Sequence, residues 1–283
     1  MHHFIFAFFL TLTSLLSGEA VYTIKQPVVT MRQDPNNTST IASQAIFSEE
    51  VTIQKKQGDW ILITTPDGYS GWCAADAVVE SPQHYNATLK ISRLAAHVYS
   101  VQDTELGPII TLPYGAKLQL LHAENPRWMQ VALPDGQTCF IQKGDVIEES
   151  SLSNKSDLVA FSQRFLGLPY TWGGRSSFGY DCSGFVQMLY AKIGINLQRD
   201  ARQQIFDPRL HVISIEDLQP GDLIFFGASE QKITHVGMYI GNDQFIQASV
   251  AENQPWIRIS KLNESPWNAS ASSRYPYRTA RQL

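Results

Sequence analysis

The N-terminal half of the chain repeats itself, and this repeat limits what that half can fold into. Residues 58–68 (GDWILITTPDG) return 68 positions later as residues 126–136 (PRWMQVALPDG). Each copy contains short alternating apolar and polar runs separated by Pro, Gly, Asn and Asp, which is typical of strands joined by tight turns. Units of about 60 residues with several short strands are typical of small β-barrels. The sequence therefore predicts two small all-β barrels, at residues 21–81 and 86–149.

Beyond the repeats, the segment 180–190 (YDCSGFVQMLY) places a cysteine at the start of a predicted helix. Phe185 and Leu189 recur at helical spacing, and Asp181 is a short polar residue suited to a helix N-cap. A thiol in the first turn lies beside unsatisfied N–H groups and the positive end of the helix dipole, so we expect a lowered thiol pKa. The alternative is that Cys182 packs as a small buried hydrophobe.

A strand, a Gly-Asn-Asp turn and a returning strand are predicted between residues 234 and 249. If the hairpin is centred on Gly241, then His235 and Gln247 are directly opposed, with Cβ atoms about 4.5–5.5 Å apart. An amide at that distance can hold an imidazole in place. A cysteine, a base and a residue that orients the base form a nucleophilic triad. We therefore predict Cys182, His235 and Gln247 as the catalytic residues.

These segments follow the order and spacing of a known family. The matching blocks are 168–174 (LPYTWGG), 181–185 (DCSGF), 199–201 (RDA), 220–226 (PGDLIFF), 235–241 (HVGMYIG) and 245–248 (FIQA). They resemble the NlpC/P60 cysteine peptidases, which are papain-like bacterial cell-wall hydrolases. The resemblance implies an α+β papain-like catalytic domain at 157–283, after a polar linker at 150–156. The third triad position in the family is most often histidine. Here it is Gln247, whose amide oxygen can still accept the imidazole N–H.

The N-terminal units also carry a resemblance. The motif at 67–72 (DGYSGW) is similar to bacterial SH3-like domains, and the second unit, with QTCF at 137–140, matches less well. The whole chain thus resembles NlpC/P60 enzymes with two SH3-like barrels before the catalytic domain. This implies cleavage of the γ-D-glutamyl–diaminopimelate bond in peptidoglycan stem peptides, with a preference for a free N-terminal L-alanine.

The resemblance further implies a set of substrate-binding residues. They are Tyr69, Trp172, Asp181 and Ser183. Tyr170 is added as a candidate oxyanion donor through its hydroxyl, with plain packing as the alternative. Relatives carry a glutamate where this chain has Ala42, and Glu49 or Glu50 are candidates to replace it. We expect Asp181 to be the negative partner of the substrate amine, with a simple helix N-cap as the alternative.

Composition limits partners and location. The net charge of −4 gives no electrostatic case for nucleic acid. An apolar run at 4–17, followed by small residues before a cut after Ala20, predicts a signal peptide at 1–20, although no Lys or Arg precedes the run. A retained N-terminal anchor is the alternative. We expect a secreted or periplasmic monomer with no membrane span after signal removal.

The chain has three cysteines, an odd number that leaves at least one unpaired. We expect Cys182 to be free, and a Cys73–Cys139 disulfide stays open. No cluster has metal-ligand spacing and no phosphate-binding loop is present, so we predict no metal and no cofactor. Two other functions stay open: an amidase that uses the same triad, and a wall-binding protein whose barrels are the functional part.

Overall fold

The computed structural model of the protein describes residues 21–81, 85–148 and 155–283. The predicted signal peptide and residues 150–154 of the predicted linker lie outside the described residues. Among the described residues, no helix has the length and apolar character needed to cross a lipid bilayer.

The first unit is an antiparallel seven-stranded sheet that closes around a small core. Its strands are β1 (Tyr22–Ile24), β2 (Val28–Arg32), β3 (Ile41–Ile46), β4 (Glu50–Gln57), β5 (Trp60–Thr64), β6 (Ser70–Ala74) and β7 (Val78–Glu80). They are ordered β3-β2-β6-β5-β4-β1-β7. Alternate strand residues such as Ile61 and Ile63 point inward and are fully buried, as the period of two along a strand requires.

The second unit has the same construction. Its strands are β8 (Leu89–Ile91), β9 (Ala95–Tyr99), β10 (Ile110–Pro113), β11 (Lys117–His122), β12 (Trp128–Ala132), β13 (Thr138–Gln142) and β14 (Val146–Glu148). They are ordered β10-β9-β13-β12-β11-β8-β14. This is the strand order of the first sheet with seven added to each strand number. The sequence repeat therefore corresponds to a repeated fold. We call the two units the first barrel and the second barrel.

The remaining residues form an α+β domain. Its helices are α1 (Lys155–Ser162), α2 (Cys182–Ala191) and α3 (Ala201–Gln204). Its strands are β15 (Arg175–Ser176), β16 (Gly179–Tyr180), β17 (His211–Ile213), β18 (Leu223–Gly227), β19 (Ile233–Gly241), β20 (Gln244–Ser249), β21 (Trp256–Lys261) and β22 (Tyr277–Gln282). The main sheet is antiparallel in the order β17-β22-β18-β19-β20-β21, with β15 and β16 forming a separate hairpin. This confirms the predicted fold class.

Helix α2 lies against one face of this sheet because its apolar residues are spaced to form one stripe. Phe185, Val186 and Leu189 are fully buried and share one core with strand residues such as Val236 and Ile246. The packing places the start of α2 beside the middle of the sheet, where β19 and β20 run.

The two cysteines outside α2 occupy different cores. Cys73 is buried in the first barrel and Cys139 in the second, and all three cysteines of the chain are free. The open question of a Cys73–Cys139 disulfide is thus answered: the two cysteines do not pair, because each side chain fills the interior of its own barrel.

The first barrel docks on the catalytic domain along β3. The Trp172 indole donates to the Ile41 carbonyl at 3.1 Å. Arg199 donates to the Ser43 hydroxyl at 3.0 Å. Gly173 lies so close to β3 that a Cβ there would be 2.6 Å from Ile41 Cγ2. The segment before α2 is thus pressed against the barrel.

Candidate active site

Cys182 is the first residue of α2, and Asp181 is its N-cap. The Asp181 carboxylate accepts the backbone N–H of Gly184 at 2.7 Å, which satisfies one of the open donors of the first turn. Gly184 is needed here, since a Cβ would approach the Gly174 carbonyl oxygen to 2.2 Å. The thiol therefore sits where the sequence predicts it, at a capped helix start.

His235 on β19 is held by Gln247 on β20. Its Nε2 lies 2.5 Å from the Gln247 amide oxygen, and the Gln247 amide nitrogen donates to the Ser260 hydroxyl at 2.8 Å. An amide oxygen only accepts, so Nε2 carries the imidazole proton and Nδ1 keeps a lone pair. Ser260 on β21 fixes the orientation of the amide and thereby the tautomer of the base.

The strand register differs from the predicted one. Met238 pairs with Ile246, and the turn consists of Asn242 and Asp243, whose φ angles are 54° and 59°. The prediction centred the turn on Gly241 and was wrong, because a two-residue loop with both residues at positive φ closes the hairpin one step later. Continued along the strands, this register makes His235 and Gln247 diagonal neighbours on one face. The long glutamine side chain spans that diagonal.

The thiol lies against β19 next to the histidine. Backbone hydrogen bonds from Val236, which follows His235, and from Ser183 reach the Cys182 sulfur and lower its pKa. Burial and then the Asp181 charge act in the opposite direction and dominate, so the pKa of Cys182 is raised to about 12. Burial also lowers the pKa of His235 to about 4. The expected lowering of the thiol pKa is therefore wrong, and both groups are neutral at pH 7.

Asp181 and Ser183 belong to a buried network around Arg199. The Arg199 guanidinium donates to both Asp181 carboxylate oxygens, at 3.0 and 2.6 Å, and to the Ser183 hydroxyl at 3.0 Å. Arg199 is 1% exposed. The Asp181 charge is thus already paired, which removes the basis for making it the partner of a substrate ammonium.

Tyr170 lies near Cys182, and Trp172 follows two residues later at the junction with the first barrel. Burial, and then the nearby charges of Cys182 and Asp181, raise the pKa of Tyr170, so its hydroxyl stays protonated and can donate a hydrogen bond. Trp172 is 63% exposed and its indole N–H is held by the first barrel. The indole N–H is thus anchored while most of the ring remains exposed.

Tyr69 reaches the catalytic domain from the first barrel. Its hydroxyl lies 3.3 Å from a carboxylate oxygen of Asp200, the residue before α3. Burial and the Asp200 charge raise the pKa of Tyr69, which keeps the phenol a donor. Asp200 also pairs with Arg202 at 2.9 Å, but the Arg202 side chain is 70% exposed. Of the two acidic replacements for Ala42, Glu49 is bound to Arg175 instead.

Comparison with known proteins gives this geometry a context. The NlpC/P60 family model matches residues 167–274, and the bacterial SH3 domain model matches residues 27–79. The gamma-D-glutamyl-L-lysine dipeptidyl-peptidase of Bacillus cereus is 32% identical over 246 residues, which cover 80% of this chain and 72% of that protein. The chain belongs to the NlpC/P60 family.

Two further likenesses agree with this. A crystal structure of an NlpC/P60 family protein from Bacillus cereus has a TM-score of 0.79 and 25% identity, covering 93% of this chain and 99% of that one. The bifunctional muramidase/DL-endopeptidase CwlT of Bacillus subtilis is 39% identical over 107 residues, 37% of this chain and 31% of that protein. Together the matches support a peptidoglycan hydrolase that works as a cysteine peptidase.

The sequence of this NlpC/P60 peptidase did not predict several residues that the structure places at the site. Asp200 belongs to the RDA block at 199–201 and directly precedes a helix, but nothing in that pattern predicted its contact with Tyr69. Ser260 gave no signal, because only the strand pairing of β20 with β21 brings it to Gln247.

An aromatic wall around His235 was also missed. The Trp267 and Tyr275 rings stack on each other at 4.8 Å and lie 5.0 and 5.8 Å from the imidazole. Both belong to an irregular segment without periodicity, so no sequence pattern placed them. The wall explains why His235 is buried and why its pKa is lowered.

Proposed function

We propose that this protein is a cysteine endopeptidase that cleaves the γ-D-glutamyl–diaminopimelate bond of stem peptides with a free N-terminal L-alanine. Its setting would be extracellular or in the cell envelope, as the family and the SH3 domain suggest. The B. cereus relative is named for L-lysine, whereas the proposal has diaminopimelate as the third residue of the stem peptide. The experiment therefore compares both residues at that position.

One observation carries the proposal: the Tyr69 hydroxyl of the first barrel lies beside the Asp200 carboxylate of the catalytic domain. This contact supports a site that the barrel closes at the side of α3, with a negative group there. A buried ammonium needs such a partner, since an unpaired buried charge costs several kcal/mol. Asp200 replaces Asp181 in this role, because the Asp181 charge is matched by Arg199. The exposed Arg202 is a weak competitor, since surface ion pairs are worth about 0–1 kcal/mol.

The chemistry follows from the triad. The Cys182 sulfur attacks the γ-carbonyl of D-glutamate while its proton passes to Nδ1 of His235. The oxyanion is stabilised by the backbone N–H of Cys182 and the Tyr170 hydroxyl. The imidazolium then protonates the leaving amine of the diamino acid, and a thioester forms. Water, deprotonated by His235, hydrolyses the thioester and releases L-Ala-D-Glu. Gln247 holds the imidazole throughout, through its contact with Nε2.

The test is product analysis by mass spectrometry. Wild type and Cys182→Ala are each incubated with a set of substrates. The set contains free L-Ala-γ-D-Glu-diaminopimelate, the corresponding lysine tripeptide, the N-acetylated form of each, and a stem peptide still joined to muramic acid. We expect the dipeptide L-Ala-D-Glu from the free peptides, little product from blocked ones, and none with Cys182→Ala.

Asp200→Asn supplies the matched variant. It should raise KM for the free peptide while leaving the low rate on the N-acetylated peptide unchanged. Release of an intact stem peptide from the muramoyl substrate would show an amidase instead. Equal rates on free and acetylated peptides would overturn the free-amine preference, and unchanged turnover in Cys182→Ala would overturn the triad.

A further inference from the structure

Arg175, on the hairpin before α2, lies at the junction between the first barrel and the catalytic domain. Its side chain is 11% exposed. Its guanidinium pairs with Glu49 at 3.1 Å and donates to the Gln44 carbonyl at 2.7 Å. The opposite edge faces Asp67, with Nε 3.5 Å from a carboxylate oxygen. One side chain thus holds two separate segments of the barrel.

Asp67 in turn shapes the loop that carries Tyr69. One of its carboxylate oxygens accepts the Thr65 hydroxyl at 2.6 Å and the Tyr69 backbone N–H at 3.3 Å. The Tyr69 hydroxyl then reaches Asp200. The conformation of this loop therefore determines where the phenol lies.

The same carboxylate is tied to the nucleophile helix. The Gln187 amide on α2 donates to the second Asp67 oxygen at 3.1 Å, and the Gln187 amide oxygen accepts from Arg175 Nε at 3.3 Å. Gln187 follows Cys182 by five residues on one helix. The distance between the nucleophile and the Tyr69 loop is thereby set through a triangle of Arg175, Gln187 and Asp67.

The negative charges of Glu49 and Asp67 share Arg175 as their positive partner at this junction. Burial alone would raise the pKa of Asp67, but Arg175 and the hydrogen bonds from Thr65 and Gln187 outweigh it and hold that pKa below its usual value. Without Arg175, Asp67 would lose its counter-charge and its preferred geometry.

We propose that Arg175 is a positioning residue that fixes the Asp67–Tyr69 loop of the first barrel at the amine end of the substrate site. The inference rests on the proposed function, because it assumes that Tyr69 and Asp200 receive the substrate amine. Arg175 does not touch the reacting groups. Its loss should therefore change where the loop lies and how the substrate binds, and leave the chemistry of Cys182 intact.

The experiment combines hydrogen exchange with kinetics. Arg175→Lys keeps the charge but loses the forked geometry. Amide exchange of the segment 65–72, followed by mass spectrometry, should accelerate about tenfold, since Asp67, which accepts the Tyr69 N–H, is no longer held by the guanidinium. KM for the free tripeptide should rise about tenfold with kcat within about twofold, as expected for lost binding without lost chemistry. Asp67→Asn, which keeps an acceptor for the Tyr69 N–H, should raise KM in the same direction.

Glu49→Gln is the matched control, since Glu49 touches Arg175 but not the Tyr69 loop. It should lower Tm while exchange in 65–72 and KM stay as in wild type. If Arg175→Lys lowers Tm as Glu49→Gln does and leaves loop exchange unchanged, Arg175 is only structural and the inference is overturned. The exchange measurement needs no substrate. If wild type shows no preference for peptides with a free amine, the proposed function is overturned. The exchange rate of segment 65–72 still decides whether Arg175 positions the Tyr69 loop.

Discussion

At the scale of single residues, the protonation states of Cys182 and His235 determine how the nucleophile forms. The pKa of the thiol is raised to about 12 and that of the imidazole is lowered to about 4, in both cases first of all by burial. Between these two pKa values both groups are neutral. In the proposed mechanism the thiolate therefore forms by proton transfer from Cys182 to Nδ1 of His235 when a substrate carbonyl is in place.

This predicts the pH dependence of thiol alkylation. In a neutral pair, the thiolate fraction of Cys182 and its rate of reaction with iodoacetamide should rise about tenfold per pH unit from pH 6 to 9. Cys73 and Cys139 should stay unlabelled, since both are fully buried and burial raises their pKa values to about 12 and about 11. Peptide mapping after timed labelling measures all three. A rate that is already maximal and flat from pH 5 to 8 would instead show a preformed thiolate–imidazolium pair.

Cys182, His235 and Gln247 could be chosen as candidate catalytic residues because each stands in a local pattern, a helix start or a strand next to a turn. Their pKa values could not be predicted, since desolvation depends on how many distant groups close over the site. The pairing of Asp181 with Arg199 likewise depends on the chain returning to α2 18 residues later. Periodicity shows which face of α2 is apolar, but it does not show that Arg199 pairs with the N-cap residue Asp181.

At the scale of elements, the sheet positions the base. Three neighbouring strands contribute one residue each: His235 from β19, Gln247 from β20 and Ser260 from β21. The β19–β20 hairpin was predictable from alternation and the turn between the strands, whereas the pairing of β21 with β20 was not. The register of the hairpin was not predictable either, because it depends on the conformation of Asn242 and Asp243, and a shift of two residues keeps every side chain on its predicted face.

The arrangement predicts a graded response at Gln247. Gln247→Ala removes the acceptor of the imidazole N–H and should lower kcat/KM by about 10- to 100-fold, less than His235→Ala, because a neutral amide orients without adding charge. Gln247→His should stay within about tenfold of wild type, since a ring nitrogen can replace the amide oxygen and bond to Ser260. Steady-state rates on one tripeptide, with circular dichroism to check folding, measure both. A folded but inactive Gln247→His would contradict this account of the third triad position.

At the scale of the whole molecule, the order of two barrels and one catalytic domain was predictable, since each unit carries its own repeat or motif. Their docking was not. The Trp172–Ile41 and Arg175–Gln44 hydrogen bonds each join residues 131 positions apart, and no local pattern encodes such pairs. The close approach of β3 to the segment before α2 is what brings Tyr69 to Asp200.

Gly173 makes that approach possible and provides a test of it. Its φ is +75°, and an added Cβ would lie 2.6 Å from Ile41 Cγ2 of the first barrel. Gly107 in the second barrel also has a φ of +75° but no atom within 4 Å of its Cβ position. Alanine at either site carries the same backbone strain, about 1–2 kcal/mol, and only Gly173→Ala adds the clash.

We expect the two variants to differ in substrate choice. Gly107→Ala should lower Tm by a few degrees and keep the wild-type ratio of kcat/KM for free over N-acetylated tripeptide. Gly173→Ala should lower that ratio about tenfold or more, because the barrel is pushed away and Tyr69 leaves Asp200, while Cys182 still reacts with iodoacetamide as in wild type. Kinetics on the two peptides and labelling of the thiol measure this. The same ratio in both variants would mean that docking of the first barrel does not set the substrate preference, which would then have to arise within the catalytic domain itself.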